Sequence, residues 1–215
     1  MKENSANNQH KEFVELLLSG ERLLCSEYSH NYFKQTGSLI GLYENVFKSS
    51  LYEIGKLWEY NKISVAEEHL ASSIVEAILN EFYHNIAPKE KPGKIVVVSC
   101  VEEEMHQIGV KMISDIFEMK GWKSFFLGAN TPVKELIDYT KLIRPDLLAI
   151  SLSIYFHLPV LEDMLQRVQQ IFPEQHLLVG GQAFSHGGTE VLQKYKNVFY
   201  KPDLKSTEAF IKEFN

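Results

Sequence analysis

The sequence predicts two structural parts, an all-α four-helix bundle followed by an α/β domain of the doubly wound type with five parallel strands. In the first 87 residues apolar side chains recur every three or four positions, which is the spacing of helices that bury one face. In the remainder, short apolar runs alternate with helical patterns. Those runs lack a polar face, as expected of parallel strands that helices cover on both sides.

Four helices are predicted in the bundle. The first is short and can stop at Gly20, and the second is expected to end near Gly37, because glycine is the common residue after a helix. The fourth has the clearest start, since Ser64 is a good N-cap and Glu67 completes a capping box. The approximate ranges are 13–20, 21–34, 40–60 and 64–87.

The segment Pro-Lys-Glu-Lys-Pro-Gly (88–93) is predicted to be a linker, with the bundle covering residues 1–87 and the α/β domain residues 94–215. Right-handed crossovers are expected between the strands. The five expected strands are 95–100, 122–128, 146–153, 176–181 and 197–200. The helices of this domain are expected near 110–120, 133–143, 159–171, 189–196 and 206–214.

The composition narrows the classes of function. The chain has 215 residues and a formal net charge of -6, which argues against direct binding of nucleic acid, since a duplex-binding protein needs a basic face. No apolar run approaches the ~18–20 residues of a membrane span, and the polar N-terminus does not resemble a signal peptide. Cys25 and Cys100 are expected to be reduced thiols. A soluble, cytoplasmic protein is therefore expected.

The expected ligand site is the edge of the sheet where the strands end. An open parallel sheet binds ligands where its strand order reverses, between the first and third strands if the order is the flavodoxin-like 2-1-3-4-5. No loop at that edge has a phosphate-binding glycine motif, so the usual nucleotide sites are not expected. The three loops that reach it are Glu-Glu-Glu-Met-His-Gln-Ile-Gly (102–109), Ser-Leu-Ser-Ile-Tyr-Phe-His (151–157) and Val-Gly-Gly-Gln-Ala-Phe (179–184).

Glu104 and His106 are a candidate metal-binding pair, because a histidine that ligates a metal commonly donates its other ring N–H to a carboxylate. Ser151 could extend the pair, and Gly109 would leave room for a bulky ligand. The alternative is that His106 is an ordinary surface residue, and the agreement of three unusual loops at one edge favours the ligand. The histidines interpreted as surface or packing residues are His10, His30, His157, His176 and His186.

The three loops resemble those of cobalamin-binding α/β domains. Residues 104–109 are similar to the D/E-x-H-x-x-G signature of that family, residues 151–153 to its S-x-L/T element, and residues 180–181 to its glycine pair. A small helical bundle before such a domain is also the family's arrangement, as in cobalamin-dependent methionine synthase and corrinoid methyl carriers. The resemblance covers roughly the whole chain after a short N-terminal lead.

The resemblance implies a cobalamin cofactor bound base-off and His-on. His106 would be the lower axial ligand of cobalt, and Glu104 would orient its ring, with Ser151 near the same network. Three departures are that Glu104 stands where many relatives have Asp, Gln107 where methyl carriers usually have Asp, and Ser153 where Leu is common. The residues implied to line the slot for the displaced nucleotide tail are Gly109, Ser151, Ser153, Gly180 and Gly181.

The bundle resembles that of adenosylcobalamin-dependent photoreceptors, the light-responsive repressors of MerR type. Trp58 is followed by nine residues and then Glu68-His69, which is similar to their signature. The resemblance implies that Trp58 packs over the adenosyl group on the upper face and that Glu68 contacts the adenosine. Two alternatives stay open. Trp58 lies on an apolar stripe typical of core aromatics, and Glu68 and His69 suit a solvated first turn.

The expected function is that of a light sensor rather than an enzyme. Adenosylcobalamin would bind between the two parts, and photolysis of its Co–C bond would change the packing of the bundle. The acidic chain, with a short polar lead, is expected to act through a protein partner or self-association, without direct DNA binding or a membrane. The alternative is a corrinoid subunit that carries methyl groups between methyltransferases. A third interpretation is a binding module with another cofactor or none.

Overall fold

A computed structural model of the chain describes residues 2–86 and 93–214. The chain divides into two compact units, and the division falls between Asn85 and Ile86. The first unit is helical and the second is an α/β unit. The linker expected at 88–93 lies, except for Gly93, outside the described residues.

The helical unit contains the predicted helices, but the first begins at Lys2 instead of near residue 13, and the fourth ends at Glu81 instead of near residue 87. The capping box at the start of the last long helix is confirmed, because the Ser64 hydroxyl accepts the N–H of Glu67 while the Glu67 carboxylate accepts the N–H of Ser64. The helices are α1 (Lys2–Leu18), α2 (Arg22–Thr36), α3 (Leu39–Leu42), α4 (Ser49–Glu59), α5 (Val65–Glu81) and α6 (Tyr83–Ile86).

A π-helical turn at Tyr43–Lys48 joins α3 to α4, so the helix expected at 40–60 is one run with a wider turn inside it. The hydroxyl of Ser49 donates to the Glu44 carbonyl at 3.0 Å within this turn. The buried hydroxyl of Ser50 donates to the His10 carbonyl at 3.1 Å and ties α4 to α1. Helical spacing alone does not reveal a π turn, because its apolar residues stay close to the α-helical repeat.

The interior of the helical unit is aromatic and aliphatic. Phe13 contacts Phe47 with ring centroids 5.5 Å apart, and Tyr43 stacks on Phe47 at 5.9 Å. These rings pack the π turn against α1, which explains why the wider turn is tolerated. The fully buried side chains of this unit include Phe13, Leu17, Leu42, Tyr43, Phe47, Ile54, Ile78 and Phe82.

The α/β unit is a five-stranded parallel sheet with the strand order 2-1-3-4-5, as the sequence predicts. The strands are β1 (Ile95–Cys100), β2 (Lys123–Gly128), β3 (Leu147–Ser151), β4 (His176–Gly180) and β5 (Val198–Tyr200). The α-helices are α7 (Ile108–Met119), α8 (Val133–Ile143), α9 (Leu158–Ile171), α10 (Thr189–Leu192) and α11 (Leu204–Glu213). Two 3₁₀ turns lie at Tyr155–His157 and Gln182–His186.

Burial of the strands explains their apolar runs. Every residue of β1 after Ile95 is buried, and so are the first four residues of β3. Helix α9 covers one face of the sheet with Leu161, Met164 and Val168, all of which are fully buried. The sheet therefore has no solvent-facing side at its centre, as a doubly wound fold requires.

The register of the sheet brings three loops to one edge. Cys100 pairs with Ser151, and Ser151 pairs with Gly180, so β1, β3 and β4 end side by side. The loops that follow these strands are the three that the sequence places at the ligand edge. Their adjacency is a consequence of the register.

Two expectations from composition can be compared with the structure. Cys25 and Cys100 are free thiols, and burial raises the pKa of Cys25 to about 11 and that of Cys100 to about 12. They lie in different units. Within residues 2–86 and 93–214, no helix has the length and apolar character needed to cross a lipid bilayer.

The glycine pair after β4 is required by the packing of the chain on itself. The N–H of Leu152 donates to the Gly180 carbonyl at 2.9 Å, which brings the two loops together. At Gly181 the backbone has φ +120, and a Cβ there would lie 2.1 Å from the Leu152 carbonyl oxygen. A Cβ at Gly180 would lie 2.6 Å from the Lys201 carbonyl oxygen. Only glycine fits at these two positions without a backbone shift.

The substitution Gly181→Ala should destabilise the ligand-free protein by about 2–4 kcal/mol, because it adds a backbone clash to an unfavourable φ. Gly109→Ala is the matched control, since no atom lies within 4 Å of its Cβ position and it sits in helix α7. We expect the control to unfold at the wild-type urea concentration or slightly above it. Equal midpoints for the two variants would contradict this account of the glycine pair.

Candidate functional site

The loop between β1 and α7 brings the predicted pair together. The Glu104 side chain is fully buried, while 55% of the His106 side chain is exposed. Glu104 Oε1 lies 2.5 Å from His106 Nδ1 and also accepts the backbone N–H of His106 at 3.0 Å. The carboxylate therefore fixes both the ring and the main chain of the candidate ligand.

The second oxygen of Glu104 joins this loop to the one after β3. Oε2 accepts the backbone N–H groups of Ser153 at 3.1 Å and Ile154 at 2.8 Å. Ser151 contributes through its backbone, since its carbonyl accepts the N–H of Val101 at 3.0 Å. Ser151 and Ser153 thus lie beside the pair, and the bonds to Glu104 come from main-chain groups that follow Ser151. Contact of the two serines with the cofactor stays a prediction.

The side chain of His157, which the sequence interpretation set aside, lies against the same carboxylate. Its Nδ1 is buried, makes no hydrogen bond among the described residues, and lies 3.6 Å from Glu104 Oε2. Glu104 Oε2 therefore lies near a second histidine as well as near the backbone donors described above. The sequence feature that could have identified His157 as a site residue was its position on the loop after β3, at the ligand edge.

The pKa of Glu104 is lowered to about 2 from the ordinary value of 4.5. Burial alone would raise it, but the hydrogen bonds from the His106 ring, from the His106 N–H and from the Ile154 N–H outweigh burial. Glu104 is therefore an anion at neutral pH. An anionic partner keeps a proton on His106 Nδ1 and raises the basicity of the other ring nitrogen.

The site offers one protein nitrogen, which suits a metal ion whose other ligands belong to a bound cofactor. In the described part of the chain, no three His, Cys, Asp or Glu side chains come together in a way that could hold a metal ion. A single imidazole, with Nδ1 directed at Glu104, offers Nε2 as the one protein ligand. Cobalt in a corrin ring needs only such an axial nitrogen, so the residues present fit that group.

The surroundings of His106 suit a large apolar ligand. Three exposed apolar side chains lie on the two loops that Glu104 joins: Met105 is 67% exposed, Tyr155 41% and Phe156 88%. The sequence interpretation did not single them out. Gly109 faces open space at its Cβ position, whereas Gly180 and Gly181 are required by the backbone packing described above. The ligand contacts predicted for these three glycines stay predictions. Exposed apolar groups around a polar centre are typical of a binding surface.

The three candidates of the helical unit lie at the end of α4 and the start of α5. Trp58 is 49% exposed, so its alternative interpretation as an ordinary core aromatic is wrong. Glu68 is half-buried and accepts the Ser72 hydroxyl at 2.7 Å. His69 Nε2 lies 3.6 Å from Glu68 Oε2, and its side chain is 74% exposed. Within this unit they are available to a ligand, and their roles stay predictions.

Two curated proteins are among the relatives. The chain is 30% identical over 144 residues to the HTH-type transcriptional repressor CarH of Myxococcus xanthus, covering 66% of this chain and 47% of that protein. It is 22% identical over 130 residues to dimethylamine corrinoid protein 1 of Methanosarcina acetivorans, covering 59% of this chain and 61% of that protein. The matched region is thus about half the length of the first relative.

Among solved structures, the monomethylamine corrinoid protein of Methanosarcina barkeri has a similar fold. The TM-score is 0.79, with 11% sequence identity, and the match covers 97% of this chain and 99% of that chain. At this identity the likeness concerns the fold, and it supports the arrangement of a helical cap followed by a five-stranded α/β domain.

Family models match both parts of the chain. A B12 binding domain matches residues 94–203, which contain the whole sheet and the three edge loops, and a second B12 binding domain model matches residues 9–82. The first match spans Glu104 and His106, and the second spans Trp58, Glu68 and His69. The chain therefore belongs to the B12-binding family, and its cofactor is a cobalamin.

Proposed function

We propose that this chain is a corrinoid carrier protein that holds cobalamin through His106 and presents a methyl group on the upper face of cobalt to a partner methyltransferase. The pair formed by the buried, anionic Glu104 and the exposed ring of His106 supports cobalamin ligation, and the fold likeness to the monomethylamine corrinoid protein supports the carrier role. In this proposal the chain is the carrying subunit, and partner enzymes perform the transfers.

Each residue of the site has a role in this proposal. Bound cobalamin supplies a cobalt centre that can accept and release an alkyl group. His106 binds through Nε2, and Glu104 holds the proton on Nδ1 and offsets the positive charge that the ring gains by donating. The N–H groups of Ser153 and Ile154 keep the carboxylate in its orientation. Met105 and Phe156 offer apolar contact to the cofactor.

The methyl carrier was the alternative in the sequence interpretation, and the relatives support it better than the light sensor. Alignment with CarH covers less than half of that repressor, whereas the fold likeness to the monomethylamine corrinoid protein extends over nearly all of both chains. Dimethylamine corrinoid protein 1 is also a relative by sequence. By their names, both of these proteins carry a corrinoid.

A light sensor is the second candidate, because Trp58 is exposed in the helical unit and is followed by Glu68-His69 at the spacing of the photoreceptor signature. An exposed tryptophan that a ligand covers can sense which group the ligand carries. A ligand shifts the equilibrium between two protein conformations only by its difference in affinity for them. Loss of the adenosyl group would therefore act by removing its contact with Trp58. Output would then require a protein partner or self-association.

The role of His106 can be tested by electron paramagnetic resonance of the protein reconstituted with cob(II)alamin. Isotope labelling of the protein's histidines should change the nitrogen hyperfine splitting, because the axial nitrogen comes from the protein. His106→Ala should abolish that change and weaken cobalamin binding at least ~10–100-fold. His186→Ala, an exposed histidine at the same edge, is the control. Splitting that is insensitive to the label in the wild type would refute the proposal.

The charge of Glu104 can be tested without cofactor. A carboxyl whose pKa is about 2 when folded and 4.5 when unfolded stabilises the fold above pH 4.5 and loses that contribution as the pH falls toward 2. Glu104→Gln should therefore cost about 2 kcal/mol of unfolding free energy at neutral pH and flatten the acid limb of the stability curve. Urea unfolding across this pH range measures both effects.

Glu103→Gln is the matched control for this experiment, because Glu103 is the exposed neighbour of Glu104. Its stability curve should run parallel to that of the wild type. If Glu104→Gln also runs parallel to the wild type through the acid range, Glu104 is not the buried anion described above.

Trp58→Ala separates the two candidate functions. For a carrier of methyl groups, the variant should bind methylcobalamin within about threefold of the wild type, since a methyl group offers little area to contact. For an adenosylcobalamin sensor, it should lose affinity for adenosylcobalamin by tenfold or more, as expected for loss of an aromatic contact of about 1.5 kcal/mol. Tyr60→Ala, an exposed aromatic near the end of the same helix, is the control.

A further inference from the structure

The loop between β2 and α8, residues 129–132, is bound to the His106 loop through Asn130. The side-chain oxygen of Asn130 accepts the N–H of Glu103 at 3.0 Å. The backbone N–H of Asn130 donates to the Glu104 carbonyl at 2.8 Å. Asn130 is thus hydrogen-bonded to the main chain on both sides of the Glu104 Cα atom.

Two further hydrogen bonds flank this contact. The N–H of Ala129 donates to Gln107 Oε1 at 3.2 Å, and the N–H of Val133 donates to Glu102 Oε2 at 3.2 Å. We call these four hydrogen bonds the clasp. They hold residues before and after His106, so the loop that carries the candidate ligand is fixed from the side of β2.

Glu103 and Asn130 both adopt a left-handed backbone conformation, with φ 69 and φ 48. Asparagine tolerates this region, but for glutamate it is unfavourable and persists only where other contacts impose it. The bond from the Glu103 N–H to Asn130 Oδ1 is such a contact. Without it, Glu103 can relax to an ordinary φ, and the Glu104 main chain must then turn with it.

We propose that Asn130 is a positioning residue for cobalt ligation, because it sets the main chain from which Glu104 reaches His106. The inference rests on the proposed role of His106 as the lower axial ligand. It assigns a function to the Leu-Gly-Ala-Asn-Thr-Pro segment (127–132), which the proposed function does not use. The effect of Asn130 passes through the backbone of residues 103–104 and then through the Glu104 carboxylate to the imidazole ring.

The test uses four variants of the full chain reconstituted with cob(II)alamin, with the fraction of His-ligated cobalt read from the nitrogen hyperfine splitting. Asn130→Gly keeps the left-handed backbone accessible and removes only the side-chain acceptor. It should lower the equilibrium constant for His ligation roughly three- to tenfold, as expected for one lost hydrogen bond. Asn130→Ala adds an unfavourable φ and should lower it at least as much.

The third variant, Asn130→Asp combined with Glu103→Gln, restores an acceptor oxygen without changing the net charge of the loop. It should return His ligation to within about twofold of the wild type, whereas Glu103→Gln alone should have no effect. Thermal unfolding of the ligand-free variants reports whether each is folded. A merely structural role would lower the unfolding temperature without changing the fraction of His-ligated cobalt in the folded protein.

Each outcome decides the matter. Wild-type His ligation in Asn130→Gly overturns the inference while leaving the role of His106 intact. Weakened cofactor binding with an unchanged His-ligated fraction, and no rescue by the Asp variant, also overturns it, since Asn130 would then act by direct contact. If the wild type itself shows no protein nitrogen on cobalt, the proposed function fails, and the positioning role of Asn130 fails with it.

Discussion

The site depends on one buried negative charge. Glu104 is withdrawn completely from solvent, and its charge is kept because four N–H groups point at its two oxygens. An unpaired carboxylate in that position would cost several kcal/mol, so the loops after β1 and β3 are stable only in the arrangement that supplies these donors. The conformation of these loops and the orientation of the His106 ring therefore depend on the same hydrogen bonds to Glu104.

This arrangement explains why three glutamates follow a buried strand. The Glu102 carboxylate accepts the first N–H of helix α8, Glu103 makes the left-handed turn that the clasp stabilises, and Glu104 holds the histidine. The three glutamates have the same side chain but different structural roles. Repulsion among them is limited, because donors hold the Glu102 and Glu104 carboxylates, while Glu103 is exposed to solvent.

Much of the fold was predictable because it follows local rules. Apolar runs of strand length, separated by helical stretches, predicted five parallel strands, and every strand lies within two residues of its expected limits. The pairing of Glu104 with His106 was also predictable, since a metal-ligating histidine commonly donates its other ring N–H to a nearby carboxylate. The helix expected at 189–196 is shorter, because the chain continues in turns after Leu192.

What the sequence could not supply are contacts between distant segments. His157 reaches Glu104 from 53 positions away, and Asn130 reaches Glu103 from 27 positions away. Helical periodicity did not predict that Trp58 is exposed, because the apolar stripe that contains Trp58 continues beyond the buried part of α4. The glycine pair was predicted to line the ligand slot, which stays a prediction, and the sequence did not reveal that the backbone carbonyls of Leu152 and Lys201 exclude a side chain there.

The π-helical turn at Tyr43–Lys48 has a consequence for how such chains can diverge. Each residue of a helix advances the next by about 100°. A π turn accommodates one extra residue within about one revolution. Deleting a single residue inside it would therefore restore an uninterrupted α-helix and leave everything downstream, Trp58 included, at nearly the same azimuth, whereas the same deletion in an α-helical stretch would rotate the downstream residues. Homologous caps can accordingly differ in length by one residue here and still present the tryptophan in the same direction.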